Sequence, residues 1–163
     1  MALKRWKDVV PEVQALRGEL KPEDPAIAEL DYALGQAQMG QGRMDEARTV
    51  FQSVIDVRKT GELAARAQLM RGEAYFHEGR LREALREFLR VDILYDAPRW
   101  QAAALLEAGK VYERLDQWAD AAETYSRLVA RFPQDPEAAT ARTRGDAARQ
   151  RAEKASGASS PRR

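Results

Sequence analysis

The 163-residue chain contains no cysteine and a single histidine. The first absence excludes disulfides, thiolate metal ligands and a cysteine nucleophile together. The second leaves a histidine-based metal site without partners. No apolar run approaches the roughly 20 residues of a membrane span. The stretch from Met1 to Val13 has no apolar segment of the kind a secretory signal needs. Charge of one sign is also missing: 27 basic side chains stand against 26 acidic ones, for a net charge of +1. A nucleic-acid-binding domain usually shows a basic excess, so the balance makes nucleic acid an unlikely partner. At this length a chain buries roughly 70% of its unfolded surface and needs neither a disulfide nor a metal to fold.

What the sequence has in place of these features is a repeat. Gly35, Gly72 and Gly109 are 37 residues apart, and so are Ala47, Ala84 and Ala121. The same spacing relates Met44, Leu81 and Trp118, and again Phe51, Phe88 and Tyr125. Four registers that advance together at a fixed period in this range signal stacked structural units.

Each unit reads as two helices. Leu69, Gly72, Tyr75 and Phe76 mark an apolar face on the first, and Leu81, Ala84, Leu85, Phe88 and Val91 mark one on the second. A short polar break separates them, with Gly42 and Gly79 placed for a left-handed helix stop. So short a break makes the two helices antiparallel. A mid-helix glycine costs about 1 kcal/mol relative to alanine. Close approach of the partner helix, with Ala47, Ala84 and Ala121 as its matching small surface, is the expected compensation.

At these residues the chain resembles the tetratricopeptide repeat family. The middle unit carries the resemblance at Gly72, Tyr75, Gly79, Ala84 and Phe88; the first at Gly35, Gly42, Ala47 and Phe51; the third at Gly109, Tyr112, Ala121 and Tyr125. The resemblance implies an all-α fold, a right-handed α-solenoid of antiparallel helix pairs. Three departures stand out. The period is 37 residues where the family's is 34. The tryptophan common early in the first helix is replaced by Asp31, Gln68 and Leu105. Asp116 takes the place of the turn glycine in the third unit. The long period and the stretch Arg131 to Ala139 resemble a bacterial envelope subtype, which includes the outer-membrane assembly lipoprotein and the periplasmic partner of the Tol–Pal system.

The expected organisation is one repeat domain over residues 1–153. It comprises an N-terminal half-repeat at 6–20, full repeats at about 27–61, 62–96 and 97–133, and a polar cap helix at 136–153. Residues 154–163 are expected to be disordered. Pro11 suits the first turn of a helix starting near Val10. Pro22 and Pro25 precede Pro133 and Pro136 by three periods, so the chain opens in mid-unit, either as a cap or as part of a longer array.

No catalytic constellation appears. Glu73, Glu78 and Glu83 have no nucleophile or base beside them and read as charged helix faces, and no cofactor is expected. Family geometry places the outward positions of the first helices on the inner wall of the solenoid. These are Tyr32, Gln36 and Met39, then Leu69, Glu73, Phe76 and His77, then Leu106, Lys110, Glu113 and Arg114. Apolar residues mixed with charge suit a peptide or helix ligand, with Tyr32 and Phe76 as the expected anchors. The favoured reading is a non-catalytic protein-interaction scaffold. The alternatives are a part of a larger bacterial envelope assembly, or an anion binder acting through the arginine-rich C-terminal region. The default compartment is the cytoplasm; the periplasm applies if the chain is a piece of a longer protein.

Overall fold

The computed structural model describes residues 2–158, and among these every regular element is a helix. In chain order they are α1 (Ala2–Glu19), α2 (Ala26–Gly40), α3 (Met44–Arg58), α4 (Gly61–His77), α5 (Leu81–Leu94), α6 (Pro98–Arg114), α7 (Trp118–Arg131) and α8 (Glu137–Ala158). Each helix packs on the one before it and the one after it. Beyond that, α2 touches α4, α4 touches α6 and α6 touches α8, whereas α3, α5 and α7 do not touch one another. The fold is therefore an α-solenoid whose first helices form the inner wall and whose second helices form the outer one.

The turns inside the three pairs are copies of one another. In the first, Gly42 N–H donates to the carbonyl of Met39 (2.9 Å) and Arg43 N–H to that of Gln38 (2.9 Å). The same two bonds run from Gly79 to Phe76 and Arg80 to Tyr75, and from Asp116 to Glu113 and Gln117 to Tyr112. This is the Schellman ending, which needs a left-handed residue just past the helix. Gly42 and Gly79 take φ of 77° and 73°, and Asp116 takes 56°. Aspartate is among the few side chains that visit this region, so the missing glycine of the third unit changes the residue and not the turn.

The glycines at 35, 72 and 109 have a different partner from the one expected. A Cβ on Gly35 would lie 2.6 Å from the Phe51 ring, and one on Gly72 would lie 2.5 Å from the Phe88 ring; Gly109 stands in the same relation to Tyr125. The compensation for glycine is thus an aromatic ring laid on bare backbone, with the alanines buried beside it. Phe51, Phe88, Tyr125, Ala47, Ala84 and Ala121 are all fully buried. Two further columns at the same period complete the core: Val54, Val91 and Leu128, and Ala37, Ala74 and Val111.

The column left by the absent tryptophan is partly polar. Leu105 is core, but Asp31 and Gln68 are buried too. Asp31 is met by Arg17 of α1 at 2.7 Å. Gln68 donates to the buried Glu87 and accepts from the Tyr95 hydroxyl at 3.4 Å. Buried polar groups are tolerated where such partners exist.

Both ends differ from expectation. The N-terminal helix does not begin near Val10; it runs from Ala2, with Pro11 in its interior. The preceding turn is held from outside: the Trp6 ring packs on Gly40, and the Gln41 side-chain amide donates to the Trp6 carbonyl at 2.7 Å. At the other end α8 continues past Glu153 through Ala158, so residues 154–158 are helical where disorder was expected. No helix breaker precedes Gly157 there, and the Ser156 hydroxyl donates to the Glu153 carbonyl at 2.9 Å. Residues 159–163 lie outside the described residues.

Gly72→Ala is expected to destabilise the protein by about 1–3 kcal/mol through overpacking, against the gain of about 1 kcal/mol in helix propensity. Urea denaturation reads the difference, and adding Phe88→Leu should recover part of it. Asp116→Gly should act the other way, raising stability by about 0.5–1 kcal/mol as the left-handed strain is relieved. An unchanged urea midpoint for Asp116→Gly would show that this turn carries no strain.

Candidate functional site

The inner wall is built by α2, α4, α6 and α8. Along α2, α4 and α6 one face meets the second helix of the same unit and another is left for the concave surface. The residues expected on that surface divide into two sets.

Tyr32, Leu69 and Leu106 do not line it. They are 5%, 4% and 4% exposed and pack between units. The Tyr32 ring tilts against Phe51 with centroids 5.7 Å apart, and burial raises its phenol pKa. Tyr32 is therefore core, and the expectation that it anchors a partner is corrected. The cause is curvature: stacking closes the middle of the wall, so positions that are outward on a lone helix are covered by the next unit.

The remaining candidates do reach the surface. Gln36, Met39, Glu73, Phe76, Lys110 and Glu113 are half-buried, and His77 and Arg114 are exposed. The Arg114 guanidinium lies over the Phe76 ring at 4.8 Å, a cation–π contact between α6 and α4. Lys110 is paired with Glu107 one turn earlier at 2.6 Å. Glu73 is pushed up to about 7, first by burial and then by the neighbouring Glu107, with Lys110 opposing. Glu113 is already engaged. Its carboxylate receives the Arg144 guanidinium at 2.6 Å and the Tyr125 hydroxyl at 2.9 Å, which ties α6, α7 and α8 together.

Sequence reasoning missed Arg66 and Glu107. The Arg66 guanidinium sits 4.4 Å from the Tyr32 ring and 5.4 Å from the Trp100 ring, so one side chain of α4 touches α2 and α6. Its Nε is buried without a hydrogen-bond partner. The signal was present: Arg66 lies one helical turn ahead of Leu69 on the stripe that continues through Glu73 and Phe76.

The arginine-rich C-terminal region is largely engaged within the fold. Arg144 is bound by Glu113, Arg149 pairs with Asp146 at 3.1 Å, and Arg151 lies over the Trp118 ring at 4.4 Å. Arg162 and Arg163 lie outside the described residues. No helix among the described residues is long and apolar enough to cross a membrane.

Comparison with known proteins fits this architecture. Tetratricopeptide repeat family models match residues 32–96 and 102–145. Among solved structures, a putative kinesin light chain from Podosopora anserina with nearly identical TPR-like repeats is 16% identical. Its TM-score is 0.72, and the match covers 93% of this chain and 79% of that one. A MamA protein structure is 19% identical with a TM-score of 0.58 over 94% of this chain and 90% of the other. BtubC from P. vanneervenii is 18% identical with a TM-score of 0.58 over 99% and 78%. At these identities the structural likeness shows the fold alone. Comparison of the sequence with curated proteins gives no significant match. The matches are to tetratricopeptide repeats at large and do not support the envelope subtype suggested by the longer period.

The raised pKa of Glu73 makes a pH prediction. A carboxyl whose folded pKa exceeds its unfolded one favours folding at low pH, and that advantage is lost as pH rises through the folded value. Stability should thus decline as pH rises from the ordinary carboxyl value of 4.5 through about 7. Glu73→Gln should flatten this slope and raise stability at pH 8 by about 1–3 kcal/mol. Denaturation midpoints of the two proteins across that range test it.

Proposed function

The chain belongs to the tetratricopeptide repeat family, and on that premise we propose that it is a non-catalytic scaffold whose inner wall holds a peptide or helix of a protein partner. One observation carries this reading, the make-up of the wall after its buried positions are removed. Met39 and Phe76 stay partly exposed and apolar, and Gln36, Glu73, His77, Lys110 and Arg114 surround them with hydrogen-bonding and charged groups. An apolar centre within a polar rim is the usual anatomy of a recognition surface.

The first and third units supply different chemistry to the two ends of the wall. Gln36 and Met39 make the end near α2 neutral; near α6, Lys110 is paired with Glu107, and Arg114, over the Phe76 ring, is a cation without an ion pair among the described residues. A partner segment with an apolar residue over Phe76 and an acidic residue beyond it, toward α6, fits this polarity.

Met39→Ala combined with Phe76→Ala is expected to weaken partner binding by at least tenfold. The comparison uses immobilised protein, a captured partner identified by mass spectrometry, and the purified pair in titration. Circular dichroism must show retained helicity. Full affinity in the folded double variant would sink the inner-wall reading.

A further inference from the structure

A second recess lies at the edge where α6 begins and α7 hands over to α8. It is an open groove of about 880 Å³ between the first turn of α6 and the loop 131–137, walled by Trp100, Ala103, Phe132, Pro133 and Pro136, with Arg99 at its rim. The chain's own periodicity explains why it is open. One repeat earlier the corresponding edge, between α4 and α6, is filled by Trp100. The Trp100 indole packs on the cluster that contains Tyr95 and Ala97. Its N–H donates to Glu62 at 2.7 Å, and Arg66 closes over its ring at 5.4 Å.

Advance each of these residues by 37 and the plug is gone. Trp100 becomes Glu137, Arg66 becomes Ala103, and Glu62 becomes Arg99. An aromatic side chain remains, because Tyr95 becomes Phe132, with the Arg131 guanidinium over its ring at 4.9 Å. Two large side chains are thus replaced by smaller ones, and the acid that held the indole N–H is replaced by a cation. Arg99 has an aromatic neighbour, Trp100 at 5.2 Å, and no acidic partner among the described residues.

We infer that this groove is a docking site for an aromatic side chain of a protein partner, a tryptophan above all, with a carboxylate on a neighbouring residue. The filled repeat shows which shape the recess accepts: an indole packed on the apolar cluster that contains Tyr95 and Ala97. The reversal of charge at the position of Glu62 sets the rest of the ligand. Arg99 offers the rim a cation for a carboxylate, and Glu137, at the register of the plugging indole, offers an acceptor for an indole N–H. Aromatic anchors of this kind dominate interface energetics, and proline-lined walls change little on binding because their backbone is already restricted. The recess includes none of Met39, Glu73 and Phe76, so a partner could engage it with or without them.

The test uses the full chain, isotopically labelled, with two peptides, acetyl-Asp-Trp-Asp-amide and acetyl-Asp-Ala-Asp-amide. The tryptophan peptide is expected to bind with Kd on the order of 0.1–1 mM and to shift the Trp100 indole N–H and the Ala103 and Phe132 amides. The alanine peptide should bind at least tenfold more weakly. Arg99→Ala should weaken the tryptophan peptide severalfold. The triple variant Arg99→Glu, Ala103→Arg and Glu137→Trp restores the filled repeat and should abolish binding; Ala103→Leu serves the same end if the triple variant does not fold. Absence of saturable shifts, equal binding of the two peptides, or binding that survives a folded, filled groove overturns the inference. Shifts confined to Met39, Glu73 and Phe76 also overturn it and would place the peptide on the inner wall.

Discussion

Three aromatic rings resting on three glycines hold this protein in its shape. Each ring comes from the second helix of a unit and reaches the backbone of the first, at Gly35, Gly72 and Gly109. Everything else in the unit is placed by that contact. It sets how near the two helices come, which turns the alanines at 47, 84 and 121 inward and leaves no exposed surface at any of them. It also fixes where the second helix must begin, and so requires a short left-handed turn before it. In the third unit the ring is a tyrosine. Its hydroxyl reaches past the glycine to Glu113 and is approached by Arg144 of α8, so the same contact also docks the terminal helix.

The repeated features were legible in the sequence because each occurs three times. The period, the helix pairs, the turn positions and the identity of the core columns all follow from residues that recur at 37. What recurs is a place in the unit, and that is also where the reading fell short. It placed Tyr32, Leu69 and Leu106 by their position on a single helix, whereas their burial depends on the next unit lying against them. It matched the glycines with alanines, since both are small, and read the aromatics as filling the space between the helices; the three-dimensional arrangement puts the ring on the glycine itself. Features that occur once were harder still. The Trp6 contact with Gly40 has no counterpart in another unit to reveal it, and Arg66, though on the stripe of Leu69, gives no sign of the two rings it bridges.

The units are alike in backbone and unlike in what joins them. Between the first and second, Arg48 of α3 pairs with Glu78 at 2.7 Å and lies over the Tyr75 ring; Arg80 covers the same ring at 4.6 Å. Between the second and third, Asp92 of α5 is held by Arg127 and Arg131 of α7. In the third unit the register of Asp31 and Gln68 is apolar, at Leu105. One partner of each junction, Arg48 or Asp92, is largely buried, so losing its counter-ion would strand a buried charge, and each junction has its own chemistry. A mis-stacked arrangement, with one unit shifted by a whole repeat, would bring the wrong partners together.

The pattern of contacts has a kinetic side. A helix here touches its neighbours and, along the inner wall, the next but one, and nothing more distant. Chains built from local contacts close only short loops on the way to the folded state, which keeps the entropic barrier low. Such an array also behaves as a row of coupled segments, each stabilised mainly by the one beside it. Opening therefore spreads inward from an end. The α1 end is the weaker one: Val13 is its single buried side chain among those described, and Leu16 stands half exposed. The α8 end is closed by Ala138, Ala141 and Ala148 and by the Arg144 clasp. Hydrogen exchange along the molecule would then run as a gradient, fastest at α1 and slowest in the middle pair, and the scaffold would loosen from one side while its centre stays shut.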